Sequence, residues 1–330
     1  MKVAIVGAGI IGTYLAWRLA KKGFEVSVFE QKSEIGGKVC SGLISRRLWH
    51  FFPEEKNLTE NEIKSANVHF PEKDIEIKFF PHMLVIDRKG LEEYAAELAK
   101  ESGVKLFLGM KVANVLHIKG KKLQFVLERN NKKAFLEFDY VIGCDGVHSI
   151  VRKSLRLREP KMRLGILCFG KVKKNQMLDT VEVFPSKNGF NWIIPRNSGE
   201  AEYGTLEKPA EAKKIFEQFC KKQKIKPEKI LVAPVPEGLV LSNHNRIALC
   251  GDAAGLTKSW SGGGVLWGLT AAHMLVRDFP NMKKYESQAK RFFAPRMFFS
   301  RIETRIAVWI GNNMPFLLPR RIRIDSDWGV

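Results

Sequence analysis

The N-terminal stretch Val3–Glu30, VAIVGAGIIGTYLAWRLAKKGFEVSVFE, decides the fold. Its apolar, partly β-branched start predicts a buried strand, and the glycines that follow stand at the spacing GxGxxG. A helix comes next, and then a second strand that ends at an acidic residue. Strand, glycine turn, helix, strand and acid in this register predict a βαβ unit that binds a dinucleotide.

Each glycine of the turn has a separate role in this prediction. Gly7 permits the tight turn, Gly9 lets the backbone approach a pyrophosphate, and Gly12 lets the helix pack closely on the sheet. The amides at the helix N-terminus then face the anion. Glu30, at the tip of the second strand, can accept hydrogen bonds from ribose hydroxyls, which favours an unphosphorylated ribose as in FAD or NAD. A glycine-rich turn in an ordinary α/β protein is the alternative.

The composition is that of a globular protein. The chain has 330 residues, 45% of them hydrophobic, which suffices for one large or two modest domains. We find no apolar run of about 18 residues to span a bilayer and no room for a signal peptide, so we expect a cytoplasmic protein. Five scattered cysteines without a CxxC pair predict neither a disulfide framework nor a metal site.

The charge balance predicts an anionic partner. Lys and Arg number 55 against 35 Asp and Glu, a net charge of +20. The chain lacks an RNA-binding motif, so we expect no nucleic acid, and an anionic membrane surface is the partner class that remains. Arginines alternate with large apolar residues in KRFFAPRMFFSRIETRIAVWI, residues 290–310, and such a helix can lie in a bilayer interface. The alternatives are a solubilising basic coat and a helix whose apolar face is core.

Periodicity along the chain predicts an α/β protein with a discontinuous nucleotide-binding domain. We expect an irregular or helical stretch up to about Lys64, and a β meander between Lys111 and Gly146. The predicted divisions are a nucleotide-binding domain (1–45, 84–158 and 240–280), a mainly β substrate-binding domain (46–83 and 159–239) and a helical C-terminal segment (281–330).

Two clusters early and midway in the chain predict a cofactor longer than a mononucleotide. Gly37 and Lys38 follow the acid-bearing strand, where flexible backbone and a cation can cover the pyrophosphate. Asp145 ends a second apolar strand, in DYVIGCDGVHSIVRKSL, just before a predicted helix. A contact to the cofactor and a structural helix cap are both open for this carboxylate.

A third cluster, NRIALCGDAAGLTKSWSGGGVLWGL, adds the features that favour FAD over NAD. Gly251 and Asp252 end another apolar strand, where the carboxylate can accept from a ribityl hydroxyl. Gly262, Gly263 and Gly264 open a helix and can present bare amides to a phosphate or to the edge of a flavin ring. We therefore predict FAD as the cofactor.

In this order, GxGxxG with its acid, CDGVHS and GDAAG resemble the flavoprotein hydroxylase superfamily with the para-hydroxybenzoate hydroxylase fold. The resemblance covers most of the chain and implies a Rossmann-like FAD-binding fold with an inserted, mainly β substrate domain. It also implies that Arg88, in VIDRKGL, reaches the cofactor, although a surface cation at a helix start is the alternative. The other implied FAD contacts are Gly7, Gly9, Gly12 and Glu30 for the ADP half, the Val112 backbone for adenine, and Asp252, Gly264 and Val265 for ribityl and isoalloxazine.

Two shorter segments, VCSG and GFNWIIP, resemble the geranylgeranyl reductases within that superfamily. The first matches a cysteine followed closely by glycine beside the flavin, here Cys40 and Gly42. The second matches an aromatic segment that lines the substrate cavity. Its matching residues are Phe190, Trp192 and Pro195. The chain departs from the family pattern at Ile194, Ser259 and Ser261, and it is shorter at its C-terminus than most relatives.

The resemblance implies an FAD-dependent reductase that saturates isoprenoid double bonds, with ferredoxin or NAD(P)H as electron donor. An isolated alkene is not electrophilic, so hydride delivery must be accompanied by a proton. Cys40 is the candidate catalytic donor, since a thiol can deliver a proton without carrying a buried charge; a small buried hydrophobe is the alternative. An aromatic hydroxylase, a flavin-dependent halogenase and a flavin-binding carrier without turnover also remain open, although Lys38 is poorly spaced for a halogenase.

Overall fold

The structure is a computed structural model, and it describes residues 1–117, 122–129, 132–173, 176–186, 188–196 and 199–327. In its described residues the strands form three sheets, one parallel, one mixed and one antiparallel. In chain order they are β1 (Lys2–Val6), β2 (Glu25–Phe29), β3 (Leu43–Ser45), β4 (Thr59–His69), β5 (Asp74–Ile86), β6 (Lys105–Phe107), β7 (Lys111–His117), β8 (Leu123–Arg129), β9 (Lys132–Phe138), β10 (Tyr140–Gly143), β11 (Lys161–Lys171), β12 (Thr180–Pro185), β13 (Phe190–Pro195), β14 (Glu200–Glu207), β15 (Leu231–Glu237), β16 (Ile247–Leu249) and β17 (Arg321–Asp325).

The helices vary from one turn to more than eight turns. They are α1 (Ile10–Lys21), α2 (Arg88–Glu101), α3 (Ile150–Ser154), α4 (Pro209–Gln223), α5 (Val265–Asp278) and α6 (Met282–Asn313). Short 3₁₀ helices cover residues 46–50, 56–58, 251–254 and 315–317.

A parallel sheet with the order β16-β10-β1-β2-β6 forms the nucleotide-binding part, as the opening βαβ pattern predicts. Its strands come from three separated stretches of the chain, and β1, β2, β10 and β16 are almost wholly buried. The carboxyl ends of parallel strands meet at one edge of a sheet, and ligands bind there. The glycine turn after β1, the acid after β2 and the loops after β10 and β16 all lie at that edge.

A larger mixed sheet has the order β15-β11-β14-β13-β12-β4-β5-β17 in the described parts of the chain, and β3 pairs with β5. Its two faces pack differently because strand side chains alternate. Ile193 lies in one core cluster with Tyr203 and with Phe216 of α4, whereas Ile194 lies in another with Ile63. The face shared by Ile194 and its neighbours at alternate positions is therefore the one turned away from α4.

The β meander is confirmed as the antiparallel sheet β7-β8-β9, although its two turns lie outside the described residues. The expectation of irregular or helical structure up to about Lys64 is wrong only for its last residues, because β4 begins at Thr59, after two short 3₁₀ helices. Polar residues dominate TENEIKS and hide its strand character, but the segment pairs with β5 along its length. The chain divisions given above remain our proposal.

The C-terminal segment is not helical throughout. After α6 the chain turns back, and β17 pairs in parallel with β5, extending the large sheet by one strand. None of the described helices is both long and apolar enough to cross a membrane. The second half of α6 nevertheless exposes Phe298, Ile306 and Trp309, so the alternative that its apolar face is all core is wrong for this half.

Candidate active site

The three glycines of the first turn meet different surroundings. Gly7 has φ +97°, and a Cβ atom there would lie 2.5 Å from the carbonyl oxygen of Cys144. A Cβ atom on Gly12 would lie 2.0 Å from the carbonyl oxygen of Gly7. A Cβ atom on Gly9 would meet nothing within 4 Å among the described residues. The protein itself requires Gly7 and Gly12, whereas Gly9 borders open space at the N-terminus of α1.

Glu30 is fixed against the same turn. Its Oε2 accepts a hydrogen bond from the amide of Ala8 at 2.9 Å, and its Oε1 accepts one from the amide of Lys32 at 3.0 Å. The carbonyl of Glu30 accepts from the amide of Met110, which brings the start of β7 alongside. Val112 is buried there, next to an irregularity in the pairing of β7 with β8. Its predicted adenine contact therefore concerns backbone close to the predicted ribose site.

Arg88 is buried at the first position of α2. Only 8% of the residue is exposed, so the alternative of a surface cation is wrong. Its Nη2 donates to Glu92 Oε1 at 2.7 Å, while Nε and Nη1 are buried without a hydrogen-bond partner among the described residues. Burial raises the pKa of Glu92, and the neighbouring Arg88 opposes that shift. Two unsatisfied donors on a buried cation call for an acceptor that the described residues do not supply.

Asp145 is a helix cap through one of its oxygens. Oδ2 accepts from the amides of Ile150 at 2.7 Å and Val151 at 3.1 Å, at the start of α3. Oδ1 is buried with no hydrogen-bond partner among the described residues, and burial raises the pKa of the carboxyl. The structural alternative thus holds for Oδ2, and a cofactor contact through Oδ1 stays a prediction.

The loops after β2 and β16 come together at Asp252. The Lys38 ammonium forms an ion pair with the Asp252 carboxylate, so these two predicted cofactor residues contact each other. Asp252 Oδ1 lies 3.1 Å from the position that a Cβ atom on Gly264 would take. Gly264 is the N-cap of α5 and Val265 is its first residue. A carboxylate, a cation and a helix N-terminus therefore share one corner.

The glycine-rich loop before α5 also contacts the large sheet. Gly262 has φ +68°, and a Cβ atom there would lie 2.7 Å from Leu206 Cδ2. The carbonyl of Gly263 accepts from the amide of Lys258 at 3.0 Å, which closes the loop on itself. Gly251 and Gly37 also have positive φ, +63° and +80°. The loop thus presents its backbone between the parallel sheet and the β14 strand.

These residues fit FAD. Arg88 offers two buried donors without acceptors, Gly9 borders open space at a helix N-terminus, and Glu30 lies where a ribose would be held. The Asp252 and Gly264 corner lies at the end of another strand of the same sheet. The residues predicted to bind adenosine, pyrophosphate and ribityl are therefore distributed along one sheet edge, as an extended dinucleotide needs.

Cys40 lies half-buried in the loop between Gly36 and β3. Gly42, two residues on, has φ +72°, and a Cβ atom there would lie 2.3 Å from the carbonyl oxygen of Ile86. Its own carbonyl accepts from the Ile86 amide at 2.9 Å. Gly42 therefore has a backbone role where the loop enters β3, and its predicted contact with substrate stays a prediction.

The aromatic residues of β13 share the face that points away from α4. The ring centroids of Phe190 and Trp192 are 5.6 Å apart. A Cβ atom on Gly204 would lie 2.1 Å from Cζ2 of Trp192, so the indole lies directly over that glycine. The carbonyl of Pro195 accepts from Asn61 Nδ2 at 3.0 Å. Leu206 pairs with Phe190 on this face, and its side chain packs against the Gly262 turn.

Two charged residues that were not predicted from the sequence lie beside these aromatic side chains. Glu202 is fully buried on β14 and accepts from Trp192 Nε1 at 2.7 Å. Arg196, just after β13, donates to Glu202 and to the carbonyl of Ser41 in the Cys40 loop. A glutamate at an inward position of a strand, with a tryptophan and an arginine 10 and 6 residues before it, was the available signal, but the Ser41 carbonyl that Arg196 reaches is distant in sequence.

The class of protein follows from the comparison with known families. Residues 1–289 match the family described as the FAD binding domain. The match covers most of the chain, and the chain therefore belongs to this family of FAD-binding proteins. The predicted cofactor, FAD, is confirmed.

Within that family the chain is similar to geranylgeranyl reductases. It is 26% identical over 302 residues to the chloroplastic geranylgeranyl diphosphate reductase of Nicotiana tabacum, covering 83% of this chain and 65% of that protein. It is 25% identical over 291 residues to the digeranylgeranylglycerophospholipid reductase of Methanothrix thermoacetophila, covering 80% and 73%. The chain thus spans less than two thirds of the Nicotiana protein.

A solved structure shares the fold over nearly the whole chain. It is a geranylgeranyl bacteriochlorophyll reductase-like protein from Thermoplasma acidophilum, with a TM-score of 0.82 and 19% sequence identity. The superposition covers 95% of this chain and 91% of that one. The predicted resemblance and fold class are both confirmed.

Proposed function

We propose that this FAD-dependent oxidoreductase saturates carbon–carbon double bonds of geranylgeranyl chains carried on lipids. The observation that supports this proposal best is the convergence of three elements. The Gly262 turn contacts Leu206 on the aromatic face, and Arg196 binds the carbonyl of Ser41, next to Cys40. The Gly262 turn, the loop that carries Cys40 and the aromatic face therefore lie near one another, and the similarity to reductases of geranylgeranyl lipids supports the same substrate class.

The chemistry asks for a proton beside an apolar surface. Reduced FAD supplies the hydride. The neighbouring carbon of an unactivated alkene must then receive a proton, and we assign its delivery to the Cys40 thiol. Phe190 and Trp192 exclude water and hold the prenyl chain by apolar contact. Ferredoxin or NAD(P)H is the proposed source of electrons.

Replacing Cys40 by alanine should lower the rate of double-bond reduction by about a hundredfold, the scale of one general acid, and leave FAD bound. Chemically reduced enzyme is incubated with a geranylgeranyl glycerolipid in the absence of oxygen. Mass spectrometry of the product then measures the hydrogen added. Cys220→Ala is the matched control, because Cys220 is buried on α4, in the core on the other face of the sheet. Unchanged turnover in Cys40→Ala would remove this thiol from the mechanism.

The same preparation tests the proposed reaction class. The wild-type protein should add two hydrogen masses for each bond reduced under anaerobic conditions. A product without added hydrogen would contradict the reductase proposal. Oxygen consumption with NAD(P)H and an aromatic substrate would identify a hydroxylase in its place.

A surface at the C-terminus supports the proposal that the enzyme works at a membrane face. We define the C-terminal apolar patch as the exposed residues Phe298, Phe299, Ile302, Ile306, Trp309, Phe316 and Leu317. Phe316 is 77% exposed, and a group of large exposed apolar side chains marks an interaction surface more often than single ones do. Exposed arginines lie close by in sequence at positions 305, 320, 321 and 323. Apolar side chains flanked by cations suit the interface of an anionic bilayer.

Replacing both Trp309 and Phe316 by glutamate should weaken binding to phosphatidylglycerol vesicles by at least about tenfold, because two aromatic anchors are lost and two negative charges are added. Sedimentation with vesicles measures the bound fraction. The matched control replaces Ile230 and Val232 by glutamate. Both are similarly exposed, and they lie just before and within β15 of the larger mixed sheet. Equal binding of the two double variants would contradict the assignment of the patch.

A further inference from the structure

A buried charged network lies on the same sheet face as the aromatic residues Phe190 and Trp192. Glu202 is 0% exposed, although it occupies the face of β14 that also carries Gly204 and Leu206. Its Oε1 accepts from Trp192 Nε1 at 2.7 Å, and its Oε2 accepts from Arg196 Nη2 at 3.1 Å. Both oxygens of the carboxylate are thus occupied by groups that border the proposed substrate region.

Arg196 joins this carboxylate to the loop that carries Cys40. Its Nη2 also donates to the carbonyl oxygen of Ser41 at 2.6 Å, and its Nη1 donates to Glu60. The guanidinium carbon lies 5.2 Å from the ring centroid of Phe169, which holds the group from a further side. A planar guanidinium can serve several acceptors at fixed angles, which an ammonium cannot do.

Stability alone is a poor explanation for such a network. Taking charges out of water is costly, and a buried ion pair is often no more stable than an apolar replacement. Burial raises the pKa of Glu202, with Arg196 and Trp192 opposing the shift, which agrees with a carboxylate held at a cost. What the network does supply is a fixed geometry between β13, β14 and the Ser41 carbonyl.

The loop that receives this bond has little regular structure of its own. No helix or strand is assigned between Gly36 and Gly42 in this described stretch, and both glycines have positive φ. Lys38 is tied to Asp252 at one end, and Gly42 is tied to Ile86 at the other. The Ser41 carbonyl belongs to the residue that follows Cys40, so a bond there restrains the backbone next to the thiol.

We propose that Arg196 and Glu202 are positioning residues, which hold the Cys40 loop against the aromatic face formed by Phe190 and Trp192. Glu202 orients the guanidinium and the indole together, and Arg196 passes that orientation to the Ser41 carbonyl. The consequence for turnover rests on the proposed function of Cys40. The tether itself does not, because it can be measured in FAD-loaded protein without substrate.

The test removes the tether while keeping the interior free of a lone charge. Arg196→Met alone leaves the Glu202 carboxylate buried without its cation, so the decisive variant combines Arg196→Met with Glu202→Gln. In FAD-loaded protein, amide hydrogen exchange of the peptide covering Lys38–Leu43 should become at least about tenfold faster, because the loop opens more often. In turnover of a geranylgeranyl lipid, kcat should fall by about tenfold or more while KM changes little, because a misplaced reacting group lowers the rate of the chemical step.

Two controls separate positioning from a general loss of structure. Glu202→Gln alone keeps one oxygen acceptor and the bond from Arg196 to the Ser41 carbonyl, so it should speed exchange of the loop less than the double variant does. Arg301→Met breaks another ion pair of the large sheet, the 2.7 Å contact with Glu237, and should leave the loop unchanged.

Loop exchange equal to wild type in a folded, yellow double variant would overturn the proposal. Equally fast exchange in Arg301→Met would also overturn it, because the effect would then not be specific. If wild-type protein reduces no geranylgeranyl lipid but the double variant exchanges faster, the tether stands and the proposed function falls.

Discussion

Replacing Gly12 by alanine should unfold the nucleotide-binding part of this protein. The new Cβ atom would lie 2.0 Å from the carbonyl oxygen of Gly7, and the obstacle is backbone rather than a flexible side chain. The Gly7 backbone is held in place, because its amide donates to the carbonyl of Phe29 at 2.8 Å. It also lies close to the Cys144 backbone, since a Cβ atom added to Gly7 would be 2.5 Å from the Cys144 carbonyl oxygen. We expect a loss of more than about 4 kcal/mol in the free energy of unfolding, the range of severe overpacking, and no FAD binding.

Gly9→Ala is the matched control for this prediction. The added methyl meets no atom within 4 Å in the described protein, and the residue has φ −71°, which alanine adopts freely. The free energy of unfolding of the FAD-free variant should therefore lie within about 0.5 kcal/mol of the wild-type value, as for other unstrained surface substitutions. FAD binding should weaken by at least about tenfold, because the methyl occupies the space through which backbone approaches the pyrophosphate.

Thermal unfolding of the FAD-free proteins and titration with FAD together distinguish the two glycines. Gly12→Ala should be strongly destabilised and should not bind FAD. Gly9→Ala should have wild-type stability and should bind FAD more weakly. A Gly9→Ala variant that binds FAD like wild type would mean that the cofactor does not pass over this turn.

The parts of the fold that depend on local pattern could be predicted from the sequence. The strand, helix and second strand around the first glycine turn need only neighbouring residues, and Glu30 follows from the end of β2. Gly7 and Gly12 were also predictable in their roles, because a close approach of turn, helix and sheet leaves no room for a side chain.

The parts that depend on distant partners could not be predicted. Nothing near Arg196 in sequence indicates that it reaches the Ser41 carbonyl, and nothing near Lys38 indicates Asp252. The pairing of β17 with β5 joins strands that are far apart in the chain, and the polar surface of β4 hides its register. In each case the sequence contains the residue, and only the fold supplies the partner.

Removing the side chain of Arg88 should abolish most of the affinity for FAD. Its Nε and Nη1 are buried donors without acceptors among the described residues, and we expect a phosphate or ribityl oxygen of FAD to satisfy them. Each charge-assisted hydrogen bond contributes about 1.5–3 kcal/mol, so losing two predicts a dissociation constant at least about a hundredfold higher. The variant to use is Arg88→Met with Glu92→Gln, because Glu92 otherwise stays buried without its partner.

Glu92→Gln alone is the control for this variant. It removes the carboxylate and keeps the arginine, so FAD should bind at close to the wild-type affinity. The FAD-free double variant should be no less stable than wild type, because it no longer buries a cation with two unsatisfied donors. Added FAD should then raise the melting temperature of wild type and Glu92→Gln but hardly that of the double variant, since ligand stabilisation follows the ratio of FAD concentration to its dissociation constant. An equal rise in all three proteins would show that Arg88 does not contact the cofactor and that its buried donors have another purpose.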